Sequence, residues 1–316
     1  MVTIPAWADV SPARRFGFKL FGPLLPYLLH LRPSEWPVMA GHTILGYLLA
    51  VGISGVLDGL AWREGLLGLV LWVVFLNGGT LAINSAFDND EGDIGYLKRP
   101  PPPPRHLLVM SLVLLLAGQA LAFLLPLEFV WAYAACFLLS VLYSVPPFRL
   151  KAVGGADWLI NMWGFGTLTP YAGWAATGVP LTPSGLVLLL AFCPLFAALY
   201  PLTQLYQFDE DQRRGDRTLA LRLGMGRSLD LAIGMTLVAF ALMAWAGALA
   251  GWTRGPGDAL RWAGLLAAVG LWLAVLIPWR AGYAGWTPDR HQRGMYHALG
   301  AWAMTDLVIV LAFATA

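Results

Sequence analysis

Two acidic clusters, about 120 residues apart, hold the side chains best suited to chemistry on a phosphorylated substrate. The first runs Asn84-Ser85-Ala86-Phe87-Asp88-Asn89-Asp90-Glu91-Gly92-Asp93, and the second is Gln207-Phe208-Asp209-Glu210-Asp211, followed by Asp216. Together they contain eight of the eighteen carboxylates in the chain. Each follows a long apolar run and precedes basic residues, Lys98 and Arg99 in one case, Arg213, Arg214 and Arg217 in the other. Carboxylates beside lipid are costly unless their charge is offset, and hard divalent cations offset it well. If the first helix continues past Asn84, then Asn84 and Asp88 share a face, with Glu91 close by. The same spacing sets Gln207 and Asp211 together, with Asp209 and Asp216 at the flank. Such an oxygen set suits Mg²⁺, which keeps waters that a phosphate can displace. A departing diphosphate also needs cationic donors, and Lys151 and Arg99 lie nearest the expected helix mouths.

Each cluster taken alone is also what an ordinary solvated loop looks like, and at least half of these basic residues serve as topological anchors. Calcium-loop spacing is absent, as are glycine-rich nucleotide loops and the zinc HExxH pattern. Cys136 and Cys193 sit inside apolar runs as small core residues, with no disulfide or metal-ligand spacing.

The elements that position these clusters are membrane helices. The chain of 316 residues is 58% hydrophobic and 12% charged, with a mean hydropathy of +0.65. A soluble domain carries about a quarter charged residues. Segments of about twenty residues cross a ~30 Å hydrocarbon core, and nine are expected, at 36–57, 66–87, 106–125, 128–145, 156–178, 184–206, 228–250, 259–279 and 296–315. With the N-terminus in the cytoplasm, 17 of the 20 Lys and Arg fall on the cytoplasmic side, leaving Arg63, Arg254 and Arg261 outside. The positive-inside rule predicts such a bias. Spans two and six then both run inward, so both clusters meet the connection after span four at one face. Residues 1–35, with Arg14, Arg15, Lys19 and Arg32 among apolar residues, read as an interfacial amphipathic segment. Among polar residues inside spans, Asp306 is expected to pair with a neighbouring helix.

Three stretches carry a resemblance. Asn84 to Arg99, Tyr143-Ser144-Val145-Pro146-Pro147-Phe148-Arg149-Leu150-Lys151, and Asp209 to Gly224 resemble the three cytoplasmic motifs of UbiA-type membrane prenyltransferases, closest to members that make quinones and chlorophylls. The resemblance implies an all-α bundle of nine transmembrane helices over residues 36–316, around a central cavity open to the cytoplasmic side. It implies metal ligation by Asn84, Asp88, Glu91, Asp93, Gln207, Asp209 and Asp211, and diphosphate binding by Lys98, Arg99, Lys151, Arg217 and Tyr143. Asp88, Asp211 and Lys151 would be the catalytic set, with Mg²⁺ as cofactor. Where the family pattern has aspartates, this chain has Ser85, Gly92 and Gln207, and prolines fill 100–104.

The reading is an intramembrane prenyltransferase. It would move a polyprenyl group from its diphosphate to a lipophilic acceptor, first an aromatic quinone precursor, then a chlorophyll-type alcohol or carotenoid end group. The bilayer is a partner and nucleic acid is not; a bacterial inner membrane is the expected location. Alternatives are a related cyclase, a secondary transporter or a catalytically degenerate binding protein. Transport fits poorly, because transporter ion sites lie near the midplane.

Overall fold

The computed structural model describes residues 11–88, 94, 97–214, 218–253 and 255–315, without the side chains of Glu210, Asp211, Arg214 and Pro256. Among these residues all regular structure is helical, apart from one isolated bridge between Ile94 and Leu97.

Two short helices, α1 (Pro12–Phe21) and α2 (Leu25–His30), precede α3 (Trp36–Leu57). A second apolar run is built from α4 (Trp62–Val70), a π-helical turn at Leu71–Asn77 and α5 (Gly78–Phe87). Then come α6 (Leu107–Ala122) and α7 (Leu127–Ser144). A third composite run joins α8 (Ala156–Asn161), a π-helical turn at Met162–Leu168 and α9 (Thr169–Ala176). The remainder is α10 (Pro183–Leu205), α11 (Phe208–Arg214), α12 (Leu219–Leu223), α13 (Met225–Leu249), α14 (Pro256–Gly282) and α15 (Pro288–Phe313).

Among the described residues seven helices are long and apolar enough to cross a membrane, which makes this an integral, multi-pass protein. The expected third and fifth spans differ from the rest. The third is the 16-residue α6, and the fifth, at Ala156–Ala176, is not among those seven. The last helix starts at Pro288 rather than 296, because Thr287 accepts a hydrogen bond from the Arg290 amide and proline suits the first helical position. Polar residues therefore extend the helix beyond its apolar stretch.

The bundle is held by close approach of backbones, as is usual where lipid removes the hydrophobic drive between helices. An added Cβ on Gly46 of α3 would lie 1.7 Å from the Pro170 carbonyl oxygen, and one on Gly173 of α9 would lie 1.8 Å from that of Thr43. Two glycines, one on each helix, thus set the α3–α9 distance. A large core around Phe192, Trp272, Trp279 and Met243 fills the space between α10, α13, α14 and α15. A second core around Trp72, Phe129 and Tyr133 joins the first half of the chain. Asp306 behaves as expected of an acid within a span. Its Oδ2 accepts from Trp302 Nε1 at 3.1 Å and lies 3.7 Å from Nδ1 of His42 on α3.

The N-terminal helices fasten the proline run. Arg14 donates to the Arg99 carbonyl at 2.9 Å, and Nε2–H of His30 donates to the Pro101 carbonyl at 3.1 Å. His30 is fully buried. Burial pushes its pKa below the usual 6.5; Arg32 adds to that, while the Pro101 and Pro102 carbonyls oppose it. An undocked His30 therefore binds a proton below pH 6.5 that the docked ring refuses, so docking weakens as pH falls through that point. Protection factors of amides 105–107, the intrinsic exchange rate at each pH divided by the observed one, are expected to fall below pH 6.5 and to hold steady between pH 7 and 8. Protection that stays constant below pH 6.5 would remove His30 as the cause.

Candidate active site

The first motif sits where α5 stops. Asp88 leaves helical geometry at φ −92°, ψ 129°, while its amide still bonds to the Asn84 carbonyl at 3.0 Å. The expected pairing of Asn84 with Asp88 thus holds, one turn apart, at a helix C-terminus whose dipole attracts cations. The helix ends there instead of running on towards Glu91. Glu91 and Asp93 lie outside the described residues.

Lys151 arrives from the other side. α7 ends at Ser144 because Val145 precedes a proline, which disfavours helical geometry, and Val145 is extended at ψ 132°. Arg149 takes a left-handed conformation at φ 37°, and the chain then forms a short 3-10 turn, Leu150–Ala152. This brings the Lys151 ammonium to 2.6 Å from Asn84 Oδ1 and into contact with Asp88 Oδ1. The Lys151 and Asp88 side chains are only 12% and 18% exposed. Ser144 Oγ donates to Asn84 Oδ1 at 3.3 Å, and Arg149 approaches Asp88 Oδ1 at 3.4 Å. Two oxygens therefore converge on one cation, with a second cation at the rim.

Below this cluster lies a cavity of about 220 Å³, lined among others by Trp72, Asn77, Asn84, Tyr143, Asn161 and Phe165. Both π-helical turns contribute to its wall, consistent with the frequent association of such turns with functional sites. Tyr143, expected as a diphosphate ligand, lines the cavity with its hydroxyl 3.5 Å from that of Tyr200. Ser85 faces elsewhere: it is 1% exposed, and Arg32 donates to it at 3.4 Å. The absent aspartate of that position would thus have met an arginine and not the cavity.

The second motif is arranged differently from expectation. α10 ends at Leu205 and α11 starts at Phe208, so Gln207 sits in the break between them and is exposed. Gln207 is therefore not on the helix that carries Asp211, whose side chain lies outside the described residues. The glutamine that is built in is Gln204, 8% exposed. It accepts from the Ala220 amide at 3.0 Å and donates to Asp157 at 3.3 Å. Asp209 is exposed and lines a second cavity of about 560 Å³ with Arg227, Tyr283, Trp286 and His291. No contact joins Asp209 to Asn84, Asp88 or Lys151 among the described residues. The Asp211 side chain and Arg217 fall outside those residues. Lys98 and Arg99 are exposed on the turn after the Ile94–Leu97 bridge.

Sequence reasoning missed Asp157. It is 1% exposed and accepts from the Gly155 amide at 2.7 Å, from Gln204 and, at 3.4 Å, from Tyr200. The signal available was a single acid in the first turn of an apolar helix, directly after Gly154-Gly155.

A sequence profile described as the UbiA prenyltransferase family matches residues 36–280. The digeranylgeranylglyceryl phosphate synthase of Natronomonas pharaonis is 30% identical over 213 residues, covering 66% of this chain and 73% of that protein. The lycopene elongase/hydratase of Halobacterium salinarum is 28% identical over 224 residues, covering 67% and 76%. The structure of a UbiA homolog from Archaeoglobus fulgidus bound to GPP and Mg²⁺ superposes with a TM-score of 0.67 at 19% identity, over 92% of this chain and 99% of that one. The fold, the convergence of Asn84, Asp88 and Lys151, and the extent of the profile match agree: the chain belongs to the UbiA prenyltransferase family.

Proposed function

We propose that this protein transfers a prenyl group from a prenyl diphosphate to a lipophilic acceptor within the bilayer. The observation that carries the reading is the meeting of Asn84 Oδ1, Asp88 Oδ1 and the Lys151 ammonium at the mouth of an apolar cavity. The two oxygens already share one cation, and Mg²⁺ is commonly held by one or two such groups together with waters and substrate phosphates. The donor set therefore fits Mg²⁺, with Asn84 and Asp88 as its holders. The ion would offset charge on the diphosphate as the C–O bond weakens. The GPP and Mg²⁺ bound to the Archaeoglobus homolog support this reading.

The chain's own groups supply the rest. Lys151 moves its charge from Asp88 to the leaving diphosphate, and Arg149 adds a second cation at the rim. The aromatic and aliphatic walls exclude water, which would otherwise capture the allylic cation. Among the described residues the cavity lining has no charged side chain, so a charge on the part of the acceptor buried there would go uncompensated. Neither relative named above takes its name from an aromatic compound, and one is named for a glyceryl phosphate, so the aromatic quinone precursor drops behind other lipids.

The cavity is smaller than the roughly 300–1,000 Å³ of pockets that enclose drug-sized ligands. A long prenyl tail must therefore leave it. Leu139 and Ile160 line both the cavity and an apolar groove of about 240 Å³ that continues along Leu159, Trp163 and Leu168. Leu159 and Trp163 are exposed on the outer surface of the bundle. We take this groove as the tail's route, and Ile160→Trp is expected to slow turnover of a twenty-carbon donor about tenfold while sparing a five-carbon donor. Equal slowing of both would remove the groove from the route.

The reading as a whole is tested by incubating the purified protein with Mg²⁺, labelled prenyl diphosphates of several lengths and a panel of lipid acceptors. Conjugate formation supports it. Diphosphate release without a conjugate would point to cyclisation instead, and no release at all would reject catalysis.

A further inference from the structure

Joining an allylic cation to a neutral group of an acceptor leaves a positive charge that only the loss of a proton removes. Among the described residues the central cavity has no charged side chain in its lining to take that proton. Asp88 at its mouth is already paired with Lys151. A chain of hydroxyls leads from the lining to another carboxylate. Tyr143 is half-buried in the lining, and its hydroxyl meets that of Tyr200 on α10 at 3.5 Å. Tyr200 in turn donates to Asp157 Oδ2 at 3.4 Å, and Asp157 is buried away from the cavity.

The direction of these hydrogen bonds is set from the buried end. The Asp157 carboxylate only accepts, from the Gly155 amide, from Gln204 and from Tyr200. Tyr200 therefore commits its one proton to Asp157, and Tyr143 must donate to Tyr200 rather than accept from it. That leaves the Tyr143 oxygen as the accepting end of the chain. It stands at the level of the reaction. Ser144, the next residue, donates to Asn84 Oδ1 in the diphosphate cluster, and the charges of Asp88 and Asp157 both act on the Tyr143 hydroxyl.

We infer that Tyr143, Tyr200 and Asp157 form a proton relay that discharges the acceptor once the new bond has formed. This rests on the prenyl-transfer reading and names the base within it. With an alcohol, an oxygen lone pair bonds to the allylic carbon and gives an oxonium. Its O–H bond breaks towards the Tyr143 oxygen while the Tyr143 proton passes to Tyr200 and the Tyr200 proton to Asp157. The product is then neutral and Asp157 carries the proton. The reverse path delivers it to the departing diphosphate after the product has moved away. An oxonium is a far stronger acid than a carboxylic acid, so an ordinary carboxylate suffices and the unbroken path is what counts. Contacts as long as these two commonly tighten when substrate fills a site.

The test uses the full chain in nanodiscs with Mg²⁺, a long-chain isoprenoid alcohol and a long-chain glycerol ether as acceptors, and geranylgeranyl diphosphate carrying ¹⁸O in the bridging position. Conjugate reports transfer, and movement of label to non-bridging positions in recovered donor reports ionisation. Tyr200→Phe keeps the ring stacked on Phe196 and breaks the chain outside the cavity. It is expected to lower conjugate formation about 10²-fold, the scale of a lost proton-transfer group. Label scrambling is expected to rise, because the oxonium falls back to cation and diphosphate, and a solvent deuterium effect absent from the parent is expected to emerge. Tyr143→Phe is expected to show the same pattern and carries the test if Tyr200→Phe does not fold. Conjugate formation within threefold of the parent, or transfer and scrambling lost together, overturns the relay. A parent that neither scrambles label nor releases diphosphate rejects prenyl transfer itself, so the two failures are told apart.

Discussion

Replacing Lys151 with alanine is expected to lower kcat by about 10²–10³-fold, the range found when one preorganised donor to a developing negative charge is removed. The side chain is 12% exposed and its ammonium bridges Asn84 Oδ1 and Asp88 Oδ1 at the cavity mouth. On the proposed reading Asn84 and Asp88 would hold Mg²⁺ when substrate is bound, leaving the Lys151 ammonium to face the departing diphosphate. Removing it deletes a cation that acts chiefly as charge builds up on the leaving group, so kcat falls more than KM rises. It also removes a competitor for the two oxygens, so half-saturation by Mg²⁺ is expected at a lower concentration. Lys151→Arg keeps the charge and is expected to recover part of the rate. The measurement is steady-state release of diphosphate across a Mg²⁺ titration. A kcat within threefold of the parent would exclude Lys151 from leaving-group stabilisation, and an unshifted Mg²⁺ midpoint would exclude the competition.

The first half of this site was legible in the sequence because it depends on local features. Asn84 and Asp88 are one turn apart, and the apolar run before them fixes which end of the span they occupy. Lys151 was legible for a similar reason: it follows closely on a helix that the prolines must end. The second motif was less legible, since the break at Tyr206-Gln207 changes which face each residue presents. The resemblance implies that Asp209 belongs with the diphosphate cluster, whereas in the structure it lines a second cavity. Asn77 looked like one polar residue among several inside spans. Nothing in its neighbours foretold the π-helical turn that ends there, because π turns arise from tertiary packing and carry no strong sequence signature. Span positions, by contrast, follow from length and hydropathy, and seven of the nine expected coincide with helices long and apolar enough to cross, the third and fifth being the exceptions among the described residues.

The second large effect is expected at Asp157, and there it falls on architecture before chemistry. Asp157→Ala leaves the Gly155 amide, the Gln204 amide and the Tyr200 hydroxyl without their shared acceptor at a position 1% exposed. Each unsatisfied buried group costs about 1–3 kcal/mol, so a combined loss of about 3–5 kcal/mol follows, less whatever local relaxation recovers. The consequence for function comes through geometry. Gly155 caps the start of α8, and Lys151 sits on the short turn just before it. Gln204 in turn holds the Ala220 amide of α12, and Arg222 of α12 returns to the Gly154 carbonyl. Asp157 is thus the point where the Lys151 connection, the end of α10 and the segment after the second motif are tied together. Asp157→Asn keeps one acceptor oxygen for the Gly155 amide but presents an NH₂ to Gln204 or Tyr200, so it is expected to lie between the parent and the alanine form. Thermal unfolding in detergent, followed with diphosphate release at a temperature where all three forms remain folded, separates the two effects. A positioning role predicts that both variants lose rate at that temperature, with kcat falling further than donor affinity. Full activity in a merely less stable protein would reduce Asp157 to a packing contact, and unchanged stability would show that its three partners find water instead.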